Sequence, residues 1–425
     1  MRSTAQLCVL SAVIVAAACS ANPDLPPCAP DNAGLTLPDG FCALVVADVK
    51  IGDSVATVRH LAVAANGDVF AALNSGGFVV LRDSDGDGAA DVQRHYDGDR
   101  ATGIALYNGY LYFAPDDSIV RYPWPEGALE PSGKPELVAG ALHREGRWHS
   151  AKGFAIGPDG SLFVNIGVPS NVCMEQPRGQ GQHGIDPCPL LEVSGGIWRF
   201  DANETGQTQA ADGEHFTTGM RNTFALTIHP ETGSLFGVQH GRDALAGYWP
   251  DLYTTQESAE KPAEEFMHLE RGQDYGWPYC YYDRQLHKKV LAPEYGGDGK
   301  KQGRCADKTL PVTSFPGHWA PEAMRFYFGD QFPAEYRGGA FVSFHGSWNR
   351  APEPQAGYNV AFVPFNGDEP AGDFTVFADG FAGADVSPGG ALHRPTGLAI
   401  GPDGSLYVGD DRGGRVYRIV YAGDR

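Results

Sequence analysis

The sequence is short of positive charge. Its 425 residues include 32 Lys and Arg against 52 Asp and Glu, which gives a formal net charge of −20. Nucleic acids and anionic membrane surfaces attract basic proteins, so this composition argues against both as partners. An acidic balance of this size also keeps an exported protein in solution.

Several catalytic and cofactor motifs are also missing. The chain has no Gly-x-Ser-x-Gly elbow, no Gly-Lys-Thr phosphate loop and no His-Glu-x-x-His helix, which argues against an α/β-hydrolase, a P-loop enzyme and a zincin protease. It has no Cys-x-x-Cys and therefore no Cys-x-x-Cys-His, the attachment motif of a c-type haem. Any cytochrome partner is a separate protein.

A repeated phrase is the most informative feature that is present. Ala-Ile-Gly-Pro-Asp-Gly-Ser-Leu occurs at Ala155–Leu162 and again at Ala399–Leu406, each time between short alternating apolar runs. Pro-Asp-Gly between such runs predicts a β-hairpin. Looser copies occur at Leu61–Leu73, Ile104–Phe113 and Leu226–Val238. A hairpin that recurs along a chain with 56 Gly and 31 Pro predicts an all-β repeat architecture.

The repeat spacing predicts the architecture. Strands of successive repeats are expected near Leu61, Ile104, Phe154, Leu226, Phe341 and Leu398, and their spacing exceeds that of a compact four-stranded blade. We therefore predict a six-bladed β-propeller with long loop insertions, although another blade count stays open. The insertions are expected at 168–194 and 243–315, and a strand at 40–48 is expected to complete the last blade. No long amphipathic helix is predicted.

The N-terminus is typical of an export signal. Arg2 precedes an apolar run that is too short to span a bilayer, and the run ends at Ala18-Cys19. We expect a signal peptide at 1–18, a lipid-anchor tether at 19–37 attached through Cys19, and the propeller at 38–425. Cleavage without lipidation is the alternative. Either way, we expect an exported protein in the periplasm or at the outer membrane.

Six cysteines remain once Cys8 is removed with the signal and Cys19 is lipidated. An even number in an exported chain favours disulfides over a metal site, although 15 pairings are open. Pairing of nearest neighbours gives Cys28–Cys42, Cys173–Cys188 and Cys280–Cys305.

Reactive side chains recur at the same edge of successive repeats. His149 precedes the inner strand at Phe154, Arg221 and Asn222 precede the next one, and Arg59 and Arg394 hold matching positions elsewhere. An imidazole at this place can serve as a general base. Cations repeated around one axis favour a small anionic ligand, whereas unrelated surface arginines are the alternative.

Two further segments could bind a metal. Asp83, Asp85, Asp87 and Asp91 surround a Gly in the spacing that begins a calcium loop, but Arg94 replaces the last ligand of an EF-hand. This turn is either a structural Ca²⁺ site or an acidic hairpin tip.

The second segment is His240-Gly241-Arg242-Asp243, where Gly241 lets backbone carbonyls approach a hard cation.

At these residues the chain resembles the soluble quinoprotein glucose/sorbosone dehydrogenases, which bind pyrroloquinoline quinone (PQQ) on a six-bladed propeller. The resemblance covers roughly residues 38–420, and the segments that carry it best are 149–160, Arg221-Asn222 and Tyr275-Gly276-Trp277-Pro278. It implies that His149 is the base that takes the hydroxyl proton while hydride passes to the quinone.

The resemblance also assigns the binding residues. Arg221, Asn222 and Arg394 would contact PQQ, and the carbonyls of Gly241 and Arg242 would hold the Ca²⁺ that ligates it. PQQ is a tricarboxylate, so arginines and a divalent cation suit its binding.

Departures from the glucose dehydrogenases point to the sorbosone and pyranose branch. Trp148 stands where they have Asp, and Arg59 where they have Gln. Their quinone-contacting Lys has no clear equivalent, so His345 or Arg350 is expected to replace it. The predicted substrate is an aldose, a pyranose or a sugar-derived aldehyde, with a separate electron acceptor such as a cytochrome or a quinone. The alternatives are a metal-dependent lactonase on the same fold and a non-enzymatic cell-surface binding module.

Overall fold

The computed structural model describes residues 25–146, 148–174 and 179–423. The predicted signal peptide at 1–18 and Cys19 lie outside these residues, as does the start of the predicted tether. Six four-stranded antiparallel sheets follow one another along the described chain, and one of them carries an added short strand. The prediction of an all-β, six-bladed propeller is confirmed.

We number the blades 1 to 6 in the order of their inner strands. From the axis outward, blade 1 consists of Val58–Val63, Val69–Leu73, Phe78–Arg82 and Val92–Tyr96. Blade 2 consists of Ala101–Tyr107, Tyr110–Pro115, Ile119–Pro123 and Glu136–Gly140, extended by Gln207–Thr208. Blade 3 consists of Phe154–Ile156, Ser161–Ile166, Gly196–Asp201 and Glu214–Thr218. Blades 4 to 6 consist of Ala225–Ile228, Leu235–Gln239, Glu264–Leu269 and Thr313–Phe315; of Pro321–Phe326, Ala340–Phe344, Asn359–Val363 and Thr375–Ala378; and of Pro395–Ile400, Leu406–Asp410, Arg415–Tyr421 and Phe41–Asp48.

The remaining elements are short. They are the helices Gln209–Asp212, Leu245–Tyr248 and Thr255–Glu260, the 3₁₀ turns Pro30–Gly34, Pro189–Glu192, Pro293–Tyr295, Gly303–Cys305 and Ala334–Tyr336, and the small hairpins Lys50–Ile51 with Ser54–Val55, Cys280–Asp283 with Lys288–Leu291, and Phe365–Asn366 with Glu369–Pro370. Among the described residues, none of the helices is long and apolar enough to cross a membrane.

The ring closes between the two ends of the propeller. Phe41–Asp48 pairs antiparallel with Arg415–Tyr421, and Arg415 Nε donates to Asp48 Oδ1 over 2.7 Å. The first strand of the chain therefore completes the last blade, as the sequence indicated.

The repeated phrase forms the same turn in blades 3 and 6. Gly160 and Gly404 have φ values of +85° and +83°, and in each turn the preceding Asp accepts a hydrogen bond from a Ser amide. Gly is needed here because other residues avoid positive φ. The turn joins the inner strand to the second strand of the blade.

Hydrophobic clusters lie between neighbouring blades. Phe236 of blade 4 is fully buried and packs edge-on against Phe326 of blade 5, with ring centroids 5.1 Å apart. Loss of such a buried aromatic ring costs about 3–5 kcal/mol of stability.

One sequence-based boundary is wrong. The predicted insertion at 243–315 contains the two outer strands of blade 4, so it is two loops rather than one. The error arose because the loops of blade 4 are longer than its strands. The strand expected near Phe341 is present as the second strand of blade 5, whose inner strand is Pro321–Phe326.

The three predicted disulfides, Cys28–Cys42, Cys173–Cys188 and Cys280–Cys305, are all present. The first ties the segment before blade 1 to the closing strand, and the other two lie within the long loops.

Candidate active site

Most of the side chains singled out in the sequence meet at one end of the channel; Arg350 and the acidic turn at 83–91 lie elsewhere. Each inner strand starts, and each second strand ends, at the same face of an antiparallel propeller, so residues at these points converge. Phe224 lies just before blade 4, and two residues of the opposite blade 1 approach it. The Arg59 guanidinium carbon is 5.8 Å from the centroid of the Phe224 ring, and the centroid of the His60 ring is 6.2 Å from it. These contacts across the axis define the site.

His149 is held in one orientation by the backbone. Its Nδ1 lies 2.6 Å from the carbonyl oxygen of Val168. Because a carbonyl only accepts, Nδ1 carries the proton and Nε2 is left as a basic lone pair. Burial, and then the positive charge of Arg221, lower the pKa of His149 to about 3, so the imidazole is neutral. Gly167 permits this approach, since a Cβ there would lie 2.6 Å from the His149 carbonyl oxygen.

Arg221 is fixed by a carboxylate from the end of the second strand of blade 4. Its Nη2 lies 2.6 Å from Oδ2 of Asp243, whose Oδ1 accepts from Asn349 Nδ2 over 2.6 Å. Burial raises the pKa of Asp243, but Arg221 and His318 outweigh it and hold that pKa well below its usual range. The Nε of Arg221 is buried and has no hydrogen-bond partner among the described residues.

Asn222 is ordered by a neighbouring amide. Its Oδ1 accepts from Asn165 Nδ2 over 3.0 Å, and Asn165 Oδ1 accepts from the Thr223 amide over 2.9 Å. This pair connects blade 3 to the start of blade 4, so the predicted Arg221-Asn222 unit lies beside His149.

Blades 1, 5 and 6 supply a second group of charges. Arg59 Nη1 lies 2.7 Å from Asp411 and 3.2 Å from Glu322, while its Nε is buried without a partner among the described residues. His345 Nε2 lies 2.7 Å from the other oxygen of Asp411. Arg394 donates from Nε to the His345 carbonyl over 2.9 Å. The structure therefore brings Arg59, His345 and Arg394 together around Asp411.

Arg350 does not join this group. Its guanidinium donates to the carbonyls of Ala259, Gly317 and Pro354 over 2.5, 3.0 and 2.9 Å and also pairs with Glu260. The side chain is buried and holds loops together, which corrects its expected place among the cofactor contacts.

The predicted carbonyl ligands lie near Asp243. The Gly241 amide donates to Glu264 Oε2 over 2.7 Å, and the Arg242 side chain turns to Glu294, 2.5 Å away. Within the described part of the chain, no donor binds the carbonyl oxygens of Gly241 and Arg242. Burial raises the pKa of Glu264 to about 7.

The acidic turn lies at the opposite face. It joins the two outer strands of blade 1, Phe78–Arg82 and Val92–Tyr96, on the same side as the Pro-Asp-Gly turns. Oxygens of Asp83, Asp85 and Asp87 lie within 4.8 Å of one another. Asp91 is not part of this cluster. Its Oδ1 accepts from the Ser84 amide over 2.8 Å.

The sequence alone did not reveal two features of the site. One is the set of carboxylates that orient the arginines, and the other is a buried lysine. Asp411 and Glu322 occupy the same strand ends as the predicted residues, so their positions were the available signal. Lys152 is fully buried, donates to the Ser150 carbonyl over 2.7 Å, and has its pKa lowered by burial to about 8.

Comparisons with known proteins agree with this fold. Residues 36–422 match the TrAA12-like family. An uncharacterized protein of Borreliella burgdorferi is 29% identical over 205 residues, which are 48% of this chain and 48% of that protein. The pyrroloquinoline quinone-dependent pyranose dehydrogenase of Coprinopsis cinerea is 28% identical over 240 residues, 47% of this chain and 30% of that protein. The matches thus span half or less of either relative.

A solved structure shows the same architecture. The holo form of the PQQ domain of the Coprinopsis cinerea pyranose dehydrogenase superposes with a TM-score of 0.72 at 18% identity, covering 91% of this chain and 97% of that domain. This likeness establishes the fold. Because the family match extends over nearly the whole described chain, the protein belongs to the TrAA12-like family.

Proposed function

We propose that the protein is a PQQ- and calcium-dependent dehydrogenase that oxidises an aldose, a pyranose or a sugar-derived aldehyde. The observation that carries the proposal is His149, whose Nδ1 proton is held by the Val168 carbonyl so that Nε2 presents an unprotonated lone pair. It lies beside arginines whose buried Nε donors have no partner in the described part of the chain.

The residues present suit PQQ. Buried N–H groups almost always find an acceptor, yet the Nε atoms of Arg59 and Arg221 lack one among the described residues. Carboxylates are the acceptors that guanidinium groups bind best, and PQQ carries three. Arg59, Arg221, Asn222 and Arg394 would hold it.

Calcium has matching ligands. The carbonyls of Gly241 and Arg242 are hard oxygen donors with no protein partner among the described residues, and Ca²⁺ accepts such ligands. When bound, PQQ would accept a hydride and Ca²⁺ would act on it as a Lewis acid.

The chain itself supplies the proton acceptor. His149 Nε2 would take the proton of the substrate hydroxyl, and the Val168 carbonyl would stabilise the resulting imidazolium through Nδ1. The nearby Asp243 carboxylate, held ionised by Arg221, also favours the charged form of His149. Asp411 and Glu322 would keep Arg59 oriented towards the channel.

Relatives give independent support. The pyranose dehydrogenase of Coprinopsis cinerea is PQQ-dependent by name, and its PQQ domain shares the fold. The lactonase alternative needs channel carboxylates free to bind a metal. Here Asp243 and Asp411 are instead committed to arginines, which favours the dehydrogenase. We further propose that the protein is exported on a lipid anchor and passes electrons to a separate cytochrome or quinone.

Calorimetry of the apo-protein with PQQ, in the presence of Ca²⁺ and then of a chelator, tests the proposal. Arg221→Lys keeps the charge that balances Asp243 but removes the fork of donors. It should weaken PQQ binding by about tenfold or more, because the loss of one charge-assisted hydrogen bond changes a dissociation constant by that factor. Arg337→Lys, the same change at an exposed arginine on the opposite face, is the matched control. Absence of PQQ binding by the parent protein with calcium present would contradict the proposal.

A further inference from the structure

The long loop of blade 4 carries a buried lysine. Lys289 lies on the small hairpin of that loop and is fully buried. Its Nζ lies 2.7 Å from Oε2 of Glu265, whose side chain is also buried, and it donates to the carbonyl of Tyr275. Tyr275 is the first residue of the Tyr-Gly-Trp-Pro segment that the sequence singled out. A buried ion pair adds little net stability, so the position of this pair is its informative feature.

Glu265 connects this lysine to Arg221 through one glutamine. Glu265 and Gln239 face each other across the third and second strands of blade 4. Gln239 Nε2 donates to Glu265 Oε1 over 2.8 Å, and Gln239 Oε1 accepts from the Arg221 amide over 3.1 Å. A carboxylate only accepts and a backbone amide only donates, so one orientation of the Gln239 side chain satisfies both neighbours. The main chain of Arg221 is therefore held by Gln239.

The same hydrogen bonds continue to His149. The Arg221 carbonyl accepts from the Val168 amide over 3.0 Å, and the Val168 carbonyl lies 2.6 Å from His149 Nδ1. Arg221 is thus fixed on both sides of its Cα, and a shift of its main chain would move the carbonyl that orients the imidazole. Every donor along this path points towards Glu265, so the carboxylate is the end of the path.

We propose that Glu265, together with Gln239 and Lys289, positions the cofactor-binding arginine and the histidine base. An ammonium has only donors, so the carboxylate offers one oxygen to Lys289 and the other to Gln239. In Glu265→Gln a single oxygen remains, Lys289 would take it, and the new NH₂ group would face Gln239. The Gln239 side chain would then turn over, and the Arg221 amide would lose its acceptor. The inference rests on the proposed function, because the residues that it positions belong to that site.

Glu265→Gln tests this reasoning in the apo-protein. Hydrogen exchange at the Arg221 amide, followed by NMR, should be at least about tenfold faster than in the parent, because the amide has lost a buried hydrogen bond. Calorimetry with Ca²⁺ should show PQQ binding weakened by about tenfold. Adding Lys289→Met removes the ammonium that takes the single oxygen. In this double variant both quantities should return to within about threefold of the parent, a rescue that a merely structural ion pair would not give.

Asp68→Asn is the matched control, since Asp68 is a buried carboxylate paired with Arg82 at the opposite face. It should lower the melting temperature and leave both Arg221 exchange and PQQ binding unchanged.

Unchanged exchange at Arg221 in Glu265→Gln would overturn the inference, as would a folded double variant that behaves no better than the single one. If Glu265→Gln does not fold, Gln239→Met removes the same acceptor, and unchanged exchange there would count equally against the inference. A parent protein that does not bind PQQ, while the variants show the expected exchange rates, would contradict the proposed function and leave the positioning role in place.

Discussion

Substitution of His149 by Asn removes the proposed base while disturbing the fold little. His149 has a φ of +47°, in the left-handed region that Asn tolerates better than Ala does. The Asn amide is also able to donate to the Val168 carbonyl, so the expected loss of stability is only about 1 kcal/mol. Asn is not basic and has no substitute for the imidazole lone pair.

The expected loss of rate follows from the role of the side chain. Removal of a general base costs about 10²–10⁴ in rate. In protein loaded with PQQ and Ca²⁺, turnover of an aldose with an artificial electron-accepting dye should fall by that factor. PQQ binding should persist, because the arginines that would hold it are unchanged. His95→Asn, an exposed substitution on blade 1, is the matched control and should leave the rate unaltered.

The structure also revises the expected pH dependence. An ordinary imidazole has its pKa near 6.5, which from the sequence alone predicts an acid limb at that pH. Burial lowers the pKa of His149 to about 3, so the neutral base is populated well below pH 6.5 and the limb moves to lower pH. Histidine NMR of the apo-protein would measure this directly. A His149→Asn enzyme, loaded with PQQ, that turns over within about threefold of the parent would refute the role of His149 and move the base to His345.

Three further outcomes are expected. Calorimetry should show PQQ binding only with Ca²⁺ or a similar divalent ion, and chelation should abolish turnover; binding in chelator would contradict the proposed ligand carbonyls. Asp85→Ala with Asp87→Ala should lower the melting temperature in calcium and leave turnover per folded enzyme unchanged, because that turn lies at the opposite face; a loss of PQQ affinity would show that it belongs to the site. Stability should fall as pH drops from about 6.5 to 4.5. Burial lowers the folded-state pKa values of His60, His149 and His240, so in this range these histidines take up protons only when the chain unfolds. Glu264 opposes this in part, because burial raises its folded-state pKa to about 7 and it is protonated in the folded state. A net uptake of protons on unfolding is measured by urea denaturation across that range, and pH-independent midpoints would contradict it.

Local patterns were sufficient for the fold and for part of the site. The Pro-Asp-Gly hairpins carry their own turn chemistry, and their recurrence is visible without any long-range information. His149, Arg221 and Arg394 could be found because each stands at a fixed offset from an inner strand. The three disulfides followed from nearest-neighbour pairing because each closes a short loop.

Pairings between distant parts of the chain needed the tertiary structure. Asp411 lies beside Arg59 only because blade 6 closes against blade 1, a contact that spans almost the whole sequence. Arg350 is close in sequence to His345, but its guanidinium donates to the distant Ala259 carbonyl instead. No spacing rule in the sequence predicts this contact. The low pKa of His149 arises from burial, a property of the whole channel. Strand offsets thus determined which side chains reach the channel, whereas closure of the ring decided which charges meet there, because burial and ion pairing depend on neighbours brought together from every blade.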